Sequence, residues 1–137
     1  MNSCARIEAE IDVCTDGSAD RVRLLTLAEQ VLELWIAARG ETPTQETREG
    51  FRLLALHRQG AQDLTSFNAC RETCREIAYH YNLAGMHDAA AAERTLRMMA
   101  LLVKHLVLFV SGKLQAQQLG EFCCASRPLR AQPEISS

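Results

Sequence analysis

Aromatic residues are scarce. One Trp, two Tyr and four Phe make up 5% of the 137 residues, so a core must be aliphatic, built from Leu, Ala, Val and Met. Lysine is nearly absent: Lys104 and Lys113 stand among fifteen basic residues, the other thirteen being arginines. Seventeen acidic residues bring the formal charge to −2, which argues against affinity resting on a general basic field for phosphates. The arginine bias itself has two readings, a GC-rich genome or ion-pair and anion recognition. No export signal is visible, because residues 1 to 14 carry Glu8, Glu10 and Asp12 where an apolar run is needed. The most apolar stretch, Met98 to Val110, contains Lys104 and His105 and falls short of the ~20 residues that span a bilayer. A cytoplasmic protein without a membrane partner is therefore expected.

Catalytic signatures are missing too. There is no Gly-rich phosphate loop, nucleophile elbow, His-Glu-x-x-His helix, EF-hand or Glu-x-x-His pair, so no enzyme and no cofactor are expected. What is present fits one soluble domain: 47% apolar and 23% charged residues exclude a disordered chain, and a chain of this length buries about two-thirds of its unfolded surface. The six cysteines are Cys4, Cys14, Cys70, Cys74 and the adjacent Cys123 and Cys124. Beside a long aliphatic helical pattern they read as free thiols of a reducing compartment.

The patterning predicts an all-α, four-helix bundle-like domain over residues 18–118, with a leader at 1–17 and a flexible tail at 119–137. The leader is ambiguous. Ile7, Ala9, Ile11 and Val13 alternate as in a strand, which would be an arm for another chain, while Cys4, Ile7, Ile11 and Cys14 fall at helical spacing. A helix from Asp20 to Arg39 stops at Gly40. A second starts at Thr42-Pro43-Thr44-Gln45, with Thr42 as cap, and runs to Gln59 with Gly50 in its middle. A third opens near Asp63 to Ser66, carries Phe67, Cys70, Cys74, Ile77, Ala78 and Tyr81 on one stripe, and ends near Gly85. Asp88 caps a fourth, apolar on nearly every side from Leu96 to Val110, with Gly112 as an early end.

Cys70 and Cys74, one turn apart, are candidate metal ligands with His80, His87 or His57 nearby in sequence, although cysteine on an apolar stripe behaves as a core residue. Lys104 and His105 form a polar insertion in an apolar helix, either a ligand surface or a snorkelling side chain. Ile77-Ala78 with Asn82-Leu83-Ala84 resembles the first helix and turn of a helix-turn-helix DNA reader; Asp88 stands where that family has an apolar residue. Ala78, Tyr81, Gly85 and Ala90 resemble part of a tetratricopeptide hairpin, with Arg94 and Arg97 departing from its apolar positions. That resemblance implies an antiparallel helical hairpin.

The apolar surfaces of the first and fourth expected helices exceed what a small monomer hides. A homodimer or a complex with another protein is therefore expected. The function read from this is a non-catalytic helical interaction module, a regulator, adaptor or chaperone. Its surface is built from Leu27, Leu34, Trp35, Met98, Met99, Leu102 and Leu106. The alternative is a DNA-associated or thiol- or metal-responsive transcription regulator, with nucleic acid as the less favoured partner.

Overall fold

The computed structural model describes residues 4–14 and 20–117. The expected tail, with Cys123 and Cys124, lies outside the described residues. The protein is all-α. Its elements are α1 (Cys4–Cys14), α2 (Arg21–Ala38), α3 (Arg52–Gly60), a 3-10 segment (Thr65–Cys70), α4 (Arg71–Ala84) and α5 (Ala89–Ala116).

Of the two readings of the leader the helical one holds for Cys4–Cys14, and the strand and arm reading does not. Cys4, Ile7 and Ile11 are buried at successive turns, a period that a strand would break by turning alternate residues outward. Arg6 pairs with Glu10 within α1, Glu10 also pairs with Arg23 of α2, and Asp12 pairs with Lys104 of α5. α1 therefore lies on α2 and α5 and covers apolar surface that the linear sequence left without a neighbour.

α2 begins on Asp20, whose carboxylate accepts the Arg23 N–H at 2.7 Å. It ends in a Schellman arrangement: Gly40, at φ +85°, donates to Ala37 O at 2.9 Å and Glu41 donates to Ile36 O at 3.1 Å. The expected helix cap at Thr42 is displaced by nine residues to Phe51, and α3 opens only at Arg52. Glu49 and Gly50 have φ of 54° and 86°, and Arg48 and Phe51 exchange both backbone hydrogen bonds across them. Gly50 thus builds a tight reversal instead of weakening a helix. The chain before it is held extended: the Gln59 side chain accepts from Thr44 N–H and donates to Thr42 O, and Arg52 Nε donates to Thr44 O.

α5 starts on Asp88, which accepts the Ala91 N–H at 2.9 Å, and runs 28 residues through Gly112, so that glycine is no early end. α4 and α5 form an antiparallel pair. His87 meets Thr95 at their junction, while Ser66 and Phe67 meet Lys113 and Phe109 at the far end. The core is aliphatic apart from a small aromatic knot. Trp35 stacks on Phe67 with centroids 4.7 Å apart, Phe109 meets Phe67 edge-on, and the buried Trp35 indole donates to Gly60 O at 2.9 Å. A Cβ on Gly60 would lie 2.8 Å from Trp35 Cδ1, so this close approach needs glycine.

Candidate functional site

A helix of 28 residues turns through nearly eight revolutions, and α5 uses two sides differently. Its inner side carries Met99, Val103, Leu106, Val107 and Val110, all at 0% exposure. Its outer side carries residues 98, 101, 105, 108 and 112, exposed at alternating steps of three and four. Three of these are large and apolar: Met98, Leu101 and Leu108 are 46%, 50% and 48% exposed. Half-buried Leu102 and Phe109 border them and lean on the core. The polar groups nearby are drawn to the borders. Lys104 reaches Asp12 at 2.5 Å, a hydrogen bond that raises its pKa, and Lys113 reaches Ser66 at 2.7 Å while lying over the Phe109 ring. His105 is left in the middle of the strip, so the Lys104-His105 insertion splits into a border ion pair and an exposed imidazole.

The residues read from sequence as one contact surface divide. Leu27, Trp35, Met99 and Leu106 are fully enclosed within a single copy, and this corrects their placement on a surface. Leu34 and Leu102 are half-buried against the core, and Met98 is exposed. Leu101 and Leu108 were missed. The spacing of 98, 101, 105, 108 and 112 is the signal that finds them. By length and composition α5 is also the one helix among the described residues able to cross a membrane, which the 13-residue run in the sequence did not anticipate. Its inner side nevertheless packs on α1, α2 and α4 as a core helix does.

No family model, curated protein or solved structure matches the chain.

The thiol pair sits on the other side of the core. Cys70 and Cys74 are both buried, and Cys70 Sγ and His57 Nε2 both approach the Phe67 carbonyl, at 3.4 and 3.2 Å. A hydrogen bond from Cys74, then the His57 imidazole, lowers the Cys70 thiol to about 6 against the opposing effect of burial. Cys74 is pushed up by giving that hydrogen bond and by its burial. The imidazole beside the pair is His57, not His80, whose Nδ1 is 2.7 Å from Glu76 O on its own helix. Among the described residues no three His, Cys, Asp or Glu side chains come together as metal ligands would. The residues that resemble a helix-turn-helix reader lie at the α4–α5 junction, where Ile77 and Ala78 face the core.

Proposed function

We propose that the chain is a non-catalytic, bundle-like helical interaction module acting through the outer side of α5, and that a second copy of the chain occupies that side. The observation that carries this reading is the exposed seam of Met98, Leu101 and Leu108 at coiled-coil spacing. Self-complementarity favours a second copy as occupant. In an antiparallel pairing about His105, position 105+k faces 105−k. Met98 then meets Gly112, where no atom lies within 4 Å of an added Cβ, and Leu101 and Leu102 meet Phe109 and Leu108. Arg94, which has no side-chain partner, comes to the partner's Ala116 at the negative end of the helix dipole. A parallel pairing sets Arg94 on Arg94 and glycine on glycine, losing both fits.

Size-exclusion chromatography with light scattering at low micromolar concentration tests this. The expected mass is twice 15.2 kDa for the native chain and 15.2 kDa for Leu101→Asp/Leu108→Asp. A native monomer contradicts it, and a monomer that floats with phosphatidylcholine vesicles assigns the face to lipid instead.

The grouping of buried Cys70, Cys74 and His57 around the Phe67 carbonyl favours a second reading, a thiol-responsive regulator. Such a protein would change its oligomeric state or its DNA binding on oxidation, and Cys70→Ser would abolish the change.

A further inference from the structure

Eleven arginines lie among the described residues, and seven of them are engaged. Arg6, Arg23, Arg52, Arg75 and Arg97 reach carboxylates. Arg21 stacks on Tyr81 and donates to its carbonyl, and Arg39 donates to Gly60 and Gln62 carbonyls. Arg48, Arg58, Arg71 and Arg94 have no such partner. Three of these four, Arg48 from the tight reversal, Arg58 from α3 and Arg71 from α4, meet at one cavity of about 340 Å³. Arg75, one turn after Arg71, is the fourth guanidinium lining it, held only by Glu49 at 3.3 Å. Like charges one helical turn apart repel, so the arrangement is not one that folding alone rewards.

The rest of the lining suits an anion. Asn68 and Gln62 add amide donors, and His57, 5% exposed, forms the buried end, tied to Phe67 O. No carboxylate lines this cavity. The acidic side chains of the region, Glu49, Glu72 and Glu76, line an adjoining cavity of about 320 Å³ that shares Leu54 and Arg75 with this one, and Glu46 lines a third that shares Arg48, Arg58 and Gln62. Guanidinium groups present planar N–H forks that match phosphoryl oxygens. Leu54 and Ala61 are the apolar lining, and no Phe, Tyr or Trp is present to stack a base.

We infer that the cavity between α3 and the start of α4 binds a small phosphorylated molecule carrying at least two negative charges and no aromatic part, through Arg48, Arg58, Arg71 and Arg75. This site is independent of the α5 face. It gives the arginine-rich composition a local purpose that the net charge of −2 conceals.

Isothermal titration of the full chain with inorganic pyrophosphate tests the assignment. Arg58→Gln and Arg71→Gln change exposed side chains that make no ion pair, and each is expected to weaken binding about tenfold, with affinity falling as salt rises. Arg97→Gln, an exposed arginine of α5 paired with Glu93 and away from the cavity, is expected to leave binding within twofold. Adenosine diphosphate is expected to bind no more than twofold tighter than pyrophosphate. Absence of binding, or equal weakening by Arg97→Gln, overturns the site. Adenosine diphosphate binding tenfold or more tighter overturns the proposed ligand class.

Discussion

The two sides of α5 have nearly the same chemistry and opposite surroundings. Met99, Val103 and Leu106 on one side are sealed under α1, α2 and α4, while Met98, Leu101 and Leu108 on the other face water. Hydrophobicity measures how much of a helix asks for cover. It does not say which part the rest of the chain already covers. In this protein α1 supplies cover on one side, and an apolar strip about 20 Å long, at 1.5 Å per residue from Met98 to Gly112, is left over.

The sharpest way to break the comparison is to truncate sequence neighbours. Met99→Ala is expected to cost about 2–5 kcal/mol of folding stability, because it opens a cavity in a sealed region. Met98→Ala is expected to stay within about 0.5 kcal/mol in the monomer. Urea unfolding of both measures the gap, and equal losses would erase the distinction between the sides. Next in size, Leu101→Asp/Leu108→Asp is expected to weaken self-association at least a hundredfold, each leucine contributing about 1.5–3 kcal/mol when buried, with a melting temperature close to that of native monomer. Sedimentation equilibrium and circular dichroism read the two quantities separately.

A smaller effect is expected from Gly112→Ala. Within one copy the methyl meets nothing and gains helix propensity of up to about 1 kcal/mol. Between copies it fills the space facing Met98 and weakens the dimer about tenfold, so stability and association move in opposite directions. Smallest is the pH effect of the thiols, which belong to the enclosed part of the molecule. Cys70 is lowered to about 6, so its contribution to stability is present above the unfolded thiol value near 8.5 and is lost as pH falls through about 6. The raised Cys74 acts in the opposite sense, its contribution being full below the unfolded value and lost as pH rises through the folded one. Thiolate absorbance at 240 nm is expected to show a step near pH 6 that Cys70→Ser removes. A first step above pH 8 would contradict the assignment.

Much of the helical order was legible because its signals are local. Asp20, Gly40 and Asp88 mark ends by capping chemistry that needs no distant partner, and the stripe from Cys74 to Ala78 is buried along α4, although the turn before it, Thr65–Cys70, is 3-10. The segment from 42 to 50 misled because Thr-Pro-Thr-Gln has the chemistry of a helix start, while Glu49-Gly50, beginning four residues after Gln45, closes a reversal and Gln59 claims the Thr44 N–H. The candidate surface was only partly legible for a different reason. Whether Trp35 is covered depends on where Gly60 and Phe67 dock, and no periodicity within α2 carries that information. The arginine cavity was legible only as composition, since Arg48, Arg58 and Arg71 converge through the tertiary fold.

The most direct test of a self-complementary α5 face is an isotope-filtered nuclear Overhauser experiment on a mixture of labelled and unlabelled chains. Antiparallel pairing about His105 predicts cross-peaks from the Met98 methyl of one copy to the Gly112 α-protons of the other. A dimer lacking those cross-peaks, or a chain that stays monomeric at the concentration of the experiment, would contradict it.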